Sequence, residues 1–243
     1  MFSYCDVGEK YKKDDNLLEF ISKKGFEYTQ SDLNLDNFSF LSPQELKIKK
    51  QIENIGTPLK DWDIKISYGI KTGFNEAFII DTKTKDELIA KDKKSEEIIK
   101  PLLNGRDVKK YKYKWNNNWL IFLRAENNIE DYPAIKEHMN KYKNKLEKRS
   151  SFKKWYSIQG ELKKETYQNL ENDKIILMEL SDAQTFTLDT NNFYINKTLY
   201  FISGQNLKYL LAFLNSKIIF FSYSTTENHS FLRKARLSKP IRI

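Results

Sequence analysis

Several stretches of this chain set reactive or recognising residue types at suggestive spacings. Asp63 followed by Asp81-Thr82-Lys83, after the apolar run Phe78-Ile79-Ile80, has the layout of a metal-dependent nuclease centre. In such a centre carboxylates hold Mg2+ and the lysine assists the attacking water. The signal is weak against chance. With 33 acidic and 42 basic residues in 243, random placement gives roughly five or six acid-x-base triplets. The chain has them at Glu45/Lys47, Asp63/Lys65, Asp81/Lys83, Asp92/Lys94, Asp107/Lys109, Glu147/Arg149 and Glu161/Lys163.

A second class of residues suits nucleic acid. Gly69 to Asn75 reads as a tight loop in which Gly69 and Gly73 permit a positive φ or a close backbone approach. Lys71, Thr72 and Asn75 would then offer donors to phosphates or base edges, as asparagine does across adenine N6 and N7. The alternative is that the glycines merely turn the chain and Phe74 enters the core. In Gly105-Arg106-Asp107, Arg106 could fork to guanine O6 and N7 or to a phosphate, whereas Asp107 suits a structural role that fixes the turn. Lys109, Lys110, Lys112 and Lys114 interleave with Tyr111, Tyr113 and Trp115. On a strand that gives one basic and one aromatic face.

The densest basic stretch is Lys148-Arg149-Ser150-Ser151-Phe152-Lys153-Lys154-Trp155-Tyr156, suited to phosphate contact or to a solvated face. Its Trp155-Tyr156 pair suits the core better than a stacking platform. Gln184, Thr185, Asn228, Arg233 and Arg236 fall in expected loops from which bases could be read.

Other chemistry lacks its residues. A base-flipping amino-methyltransferase needs a glycine-rich cofactor loop and an Asn/Asp-Pro-Pro-aromatic loop; the chain has neither, nor any Pro-Pro pair, nor a nucleotide-binding P-loop. Of the two histidines, His138 is expected on a solvated helix and His229 in a polar loop, which suits neither to a triad. One cysteine, Cys5, excludes a disulfide framework within the chain and a cysteine-based zinc site. No apolar run approaches the ~20 residues of a membrane span, and Met1 to Lys13 lacks the apolar stretch of a signal peptide. The expectation is a cytoplasmic protein with no membrane partner. The net charge of +9 suits an anionic partner such as a phosphate backbone, and is also common in lysine-rich chains with no such partner.

The elements that must position these residues are legible in part. Ser42-Pro43-Gln44-Glu45 is a capping box with proline at the first helical position, predicting a helix from Pro43 to Ile55 that Gly56-Thr57-Pro58 ends. A second helix starts at Asp131, with Tyr132, Ile135, Met139, Tyr142 and Leu146 as one apolar stripe. A third spans Asn206 to Leu214, and a shorter one lies near Asp86 to Ile99. Strands are expected at Ile64–Ile66, Ala77–Ile80, Trp119–Leu123, Lys174–Leu180 and Phe193–Ile202, with a hairpin turn at Asp189–Asn192. Helices and strands mix without regular βαβ alternation, so the expected class is α+β, a mixed twisted sheet with packed helices. Residues 1–40 read as a connector or the remnant of an upstream domain, and 41–243 as one domain.

An ordered series of motifs runs from Thr57-Pro58-Leu59-Lys60-Asp61-Trp62 through Ile66 to Asp81. It continues with Ile99-Lys100-Pro101-Leu102-Leu103-Asn104-Gly105-Arg106-Asp107-Val108-Lys109-Lys110-Tyr111, and reaches Asp131-Tyr132-Pro133, Arg149, Trp155-Tyr156 and Leu210 to Lys217. This series resembles the TaqI-like C-terminal specificity domain of type IIG restriction–modification enzymes, and the target-recognition part of phage-defence methyltransferases. The resemblance implies a target-recognition-domain-like fold. It implies sequence-specific binding of double-stranded DNA beside a methyltransferase or endonuclease domain or subunit. It also implies that S-adenosylmethionine and Mg2+ belong to those catalytic domains, with no catalytic or metal residue in this chain. The family's usual tail is compressed here into Arg233-Lys234-Ala235-Arg236-Leu237-Ser238-Lys239-Pro240. A stand-alone subunit, a gene remnant and a fragment all remain open. So do two other functions: a small Mg2+-dependent endonuclease using Asp63, Asp81 and Lys83, and a non-DNA-binding partner of a methyltransferase subunit.

Overall fold

The computed structural model describes residues 2–5, 11–12, 16–29, 41–160, 163–178 and 184–224. The chain divides into two compact units, Met1–Trp62 with Lys217–Ile243, and Asp63–Ser216.

In the first unit, β1 (Phe2–Tyr4) pairs antiparallel with β2 (Phe26–Tyr28) across α1 (Leu17–Lys24). Asn16 caps α1 by accepting from the Leu18 and Glu19 N–H groups. The capping box forms as expected at the start of α2 (Pro43–Ile55): Ser42 Oγ accepts from Glu45 N (3.3 Å), and Glu45 Oε2 accepts from Ser42 N (2.8 Å). At the other end Gly56 N–H closes on Ile52 O. The Tyr28 hydroxyl donates to Leu41 O.

The second unit carries the recognition candidates. Its elements are β3 (Ile64–Tyr68), α3 (Asn75–Phe78), β4 (Ile79–Ile80), α4 (Thr82–Lys91), β5 (Ile99–Leu103), β6 (Val108–Lys109), β7 (Lys112–Tyr113), β8 (Asn118–Ile121), α5 (Pro133–Asn140), α6 (Lys143–Leu146), α7 (Lys164–Leu170), β9 (Lys174–Met178), β10 (Thr187–Asp189), β11 (Tyr194–Ile195), β12 (Leu199–Gly204) and α8 (Leu207–Leu214); α9 (Lys217–Ser224) belongs to the first unit. The class is α+β. Among the described residues this unit holds two four-stranded sheets, where a single mixed sheet was expected. The order β10-β9-β12-β3 is antiparallel throughout, whereas β11-β5-β8-β4 is mixed because β11 runs parallel to β5. Phe78, Leu102, Leu103, Leu120, Ile121, Ile135, Ile195 and Phe201 are all buried in one cluster.

Two expectations fail for reasons of pairing. The run Phe193–Ile202 is two strands in two different sheets, separated by a turn at Asn196–Thr198. Asp189–Asn192 is consequently no hairpin turn, since β10 pairs with β9 and β11 pairs with β5. Asp189 instead folds its carboxylate over the turn, accepting from Asn191 N and Phe193 N (both 2.9 Å). The same carboxylate meets Lys174 Nζ at 2.6 Å, with both side chains 0% exposed. Lys174 Nζ also donates to Leu170 O at 2.7 Å. Burial pushes the Lys174 ammonium down from its ordinary range, and Asp189 opposes that shift.

The second expected helix is broken. Pro133 takes the first position as predicted, but Lys141 and Tyr142 N–H groups reach back only three residues, to His138 O and Met139 O, which separates α5 from α6. His138 is not solvated. It is buried, its ring Nε2 lies 3.1 Å from Ala77 O, and Tyr142 packs on it at 5.4 Å.

Candidate nucleic-acid interface

The glycine turn does what its composition predicts, by two different means. Gly73 has φ +77°, and a Cβ there would also meet Arg149 Cδ and Gln159 Cβ at 2.9 Å. Gly69 is needed for close approach: a Cβ there would overlap the Asn196 carbonyl and lie 2.7 Å from Ile195 O. Gly69 N donates to Leu199 O and Ile70 N to Ile195 O, so the turn is stitched along the segment that joins β11 to β12. Phe74 packs against the core beside Tyr142. The loop is thus both a structural turn and a platform.

Three turns meet at Asn196. Its Nδ2 donates to Asn104 Oδ1 (2.8 Å), its Oδ1 accepts from Thr198 Oγ1 (2.6 Å), and its backbone bridges Ile70. Asn104 begins the turn that carries Arg106. The buried Asp107 closes that turn by accepting from Asn104 N (2.7 Å) and Asn116 Nδ2 (2.5 Å), the structural role expected for it. Lys71 and Arg106, far apart in sequence, therefore stand on turns tied to one residue. Lys197, exposed on the third turn, joins them and was missed. The available signal was the polar triplet Asn196-Lys197-Thr198 interrupting an apolar strand run.

The expected contact residues separate into two groups. Lys71, Arg106, Lys109 and Lys148 are exposed, and their side chains form no hydrogen bond or ion pair among the described residues. Asn75 is exposed too, with its Oδ1 accepting from Thr72 Oγ1 at 2.6 Å, which orients the amide. Lys153 and Lys154 are exposed on the basic stretch; Lys154 leans over the Tyr156 ring and reaches Asn127 O.

The second group points inward. Arg149 was expected to face DNA, but its Nε donates to Leu146 O (3.0 Å), Nη1 to Thr72 O (2.7 Å) and Nη2 to Trp155 O (2.7 Å). Those carbonyls engage all three guanidinium nitrogens, so Arg149 clamps the glycine turn to the basic stretch. Thr72 is buried, and its hydroxyl serves Asn75. Lys110 Nζ donates to Asn215 O (2.7 Å), which ties it to the chain after α8. Lys109 to Trp115 is no single strand either. Tyr111, at φ 62°, turns the chain between β6 and β7. The basic-out, aromatic-in alternation survives beyond it, with Tyr113 and Trp115 edge-on to Phe193. Arg233, Arg236, Asn228 and His229 lie outside the described residues.

The nuclease layout does not form. Asp81 lies between β4 and α4 as the helix N-cap, its Oδ1 accepting from Thr84 N (2.8 Å), and this bond holds its carboxyl below the usual range. Lys83 then lies inside α4 rather than on a strand. Among the described residues no group of three or more His, Cys, Asp or Glu side chains could hold a metal ion. No helix among them is long and apolar enough to cross a membrane.

Comparison with known proteins adds three findings. The family model described as TaqI-like C-terminal specificity domain matches residues 100–238; Thr57 to Asp81 precede that span. The type II methyltransferase M.PaeR7I of Pseudomonas aeruginosa is 21% identical over 216 residues, which cover 83% of this chain and 36% of that protein. The chain therefore spans about a third of that relative's length. Among solved structures, the type IIL restriction–modification enzyme MmeI in complex with DNA aligns at 15% identity and TM-score 0.49, over 78% of this chain and 25% of that one. The type IIG restriction endonuclease BpuSI aligns at 12% identity and TM-score 0.44, over 74% and 23%.

Proposed function

Because this chain belongs to the TaqI-like C-terminal specificity domain family, we propose that it reads the target sequence in double-stranded DNA for a restriction–modification enzyme. On this reading it has no catalytic centre of its own. Its partners are the duplex and a methyltransferase or endonuclease domain or subunit, and S-adenosylmethionine and Mg2+ chemistry belongs to that catalytic part. The observation that carries the reading is the pairing of unengaged cations with fixed backbones. Lys71, Arg106 and Lys197 project from turns locked together through Asn196, so the backbones that carry them are fixed before DNA arrives. Preorganisation of this kind lowers the ordering cost of binding. Arg106 suits a guanine edge or a phosphate, and Asn75, with its amide oriented by Thr72, suits an adenine. Lys109, Lys148, Lys153 and Lys154 suit the backbone.

Binding through several such contacts must be salt-dependent, because each neutralised phosphate releases counterion and contributes about −0.9 to the slope of log K against log[salt]. Titrating labelled duplexes at several salt concentrations tests this. Replacing Lys109, Lys148, Lys153 and Lys154 together should weaken binding to every sequence and flatten the slope. A slope unchanged in that variant rejects the patch. Plasmid cleavage in Mg2+ that disappears in Asp81→Ala would instead favour an enzyme.

A further inference from the structure

Away from the turns at Asn196, the second unit holds a cleft of about 390 Å³ whose lining includes Phe122, Arg124, Glu126, Lys153, Lys164 and Tyr167. We propose that this cleft seats one phosphodiester of the DNA backbone, a contact distinct from the turn cluster; the inference rests on the DNA-binding reading above.

The central group is Arg124. Its guanidinium lies over the Tyr167 ring at 4.0 Å and beside Phe122 at 5.7 Å. The loop that carries it is closed on itself, with Arg124 N donating to Asn127 Oδ1 (2.8 Å) and Asn127 O accepting from the Tyr156 hydroxyl (2.9 Å). A guanidinium stacked on a ring has already lost most of its freedom, and its remaining donors lie in one plane, which matches the fork of two phosphate oxygens. Nη1 is buried and its charge partner is the Glu126 carboxylate, which is 63% exposed. An exposed carboxylate is a weakly held partner, so a phosphate at the cleft can share the guanidinium.

Charge and shape narrow the ligand. Among the described lining residues Arg124, Lys153 and Lys164 are cationic and Glu126 is the one carboxylate, a balance that favours an anion. Lys164 is exposed in the first turn of α7 and its side chain has no partner among the described residues. Arg124 covers the Tyr167 face on which a base would stack, which favours phosphate over base. One wall is formed by Lys153 of the basic stretch and by Ile158, two residues beyond its end, and Ile158 N donates to Leu123 O (2.9 Å), joining the chain after that stretch to the residue before Arg124. The cleft is therefore continuous with the run of Lys148 to Lys154, and a backbone tracked by that run passes its mouth.

The test is a cycle between protein and DNA. Single neutral methylphosphonates are placed along a duplex that the chain binds, and affinity is measured for the wild type, Arg124→Gln and Lys164→Gln. One position should weaken the wild type several-fold and lower its salt slope by about 0.9, yet be silent in both variants. Lys164 is exposed, so its variant keeps the test valid even if Arg124→Gln folds poorly. If no position couples to either residue while duplex binding persists, the cleft assignment is wrong and the function stands. Saturable binding of inorganic phosphate that both variants abolish, without coupling to any duplex position, assigns the cleft to free phosphate and overturns the DNA contact. A wild type that binds no duplex at all contradicts the function itself.

Discussion

The glycine turn with its basic stretch and the Arg106 turn with its hairpin have similar compositions and opposite wiring. Each offers an arginine, several lysines and neighbouring aromatics. In the first, Arg149 faces inward and holds three backbone carbonyls, so on the DNA-binding reading the groups left to meet a duplex are Lys71, Asn75 and Lys148 around it. In the second, the structural work falls to an acid: Asp107 closes the turn and Arg106 stays outside. What decides an arginine's role here is whether backbone carbonyls converge on it, and not the density of charge along the chain.

Substitutions can break or sharpen that contrast. The largest effect should come from beneath the hairpin, where Asp189 accepts from the Tyr113 hydroxyl and pairs with Lys174. Lys174→Met leaves a buried carboxylate unpaired and should cost about 3–5 kcal/mol, measured as a shift in the denaturant midpoint. Arg149→Ala should follow at about 3 kcal/mol, since it strands buried carbonyls on both segments it joins. It should weaken DNA binding only by loosening the turn. Arg106→Ala is the mirror case: stability within about 0.5 kcal/mol of wild type, and a loss of about 1–3 kcal/mol in binding, confined to one base position if it reads a guanine. An Arg149 variant of full stability, or an Arg106 variant that unfolds, would erase the distinction.

The smallest effect is a pH dependence beneath the glycine turn. His138 sits against Ala77 of α3, and burial first, with Lys141 adding, pushes its imidazole below the ordinary 6.5, while the hydrogen bond to Ala77 O opposes the shift. Below pH 6.5 the unfolded chain takes a proton that the folded chain declines. Stability therefore falls as pH drops from 6.5 toward the folded value, and is flat with respect to this group above that window. Thermal melts between pH 7.5 and 5 should show the decline, and His138→Gln should reduce it. An identical decline in that variant would assign the effect to other groups.

Much of this framework was legible in local sequence. The box at Ser42-Pro43-Glu45 and the glycine at position 56 set α2 to the residue, because capping needs only neighbours along the chain. Gly73 of the glycine turn was legible for the same reason, since a positive φ is a local demand, whereas the approach that Gly69 allows is to the distant Asn196. What escaped depended on distant partners. Lys174 and Asp189 meet only through the register of β9 against β10, and the carbonyls that capture Arg149 lie on residues 72, 146 and 155. Asn196 lies inside an apolar run that reads as one strand, because the hydrogen bonds that send β11 to a different sheet from β12 are non-local. The burial of His138 is written in the local pattern: it lies three residues after Ile135 and four before Tyr142, on the edge of the apolar stripe.

Selection of bound duplexes from a random pool tests the central claim most directly. A sequence reader enriches one short motif, binds it orders of magnitude more tightly than unrelated duplex at the same salt, and loses preference at one position in Arg106→Ala. A pool that emerges unenriched, with equal affinity for every duplex, would contradict the assignment of this chain as the part that reads sequence.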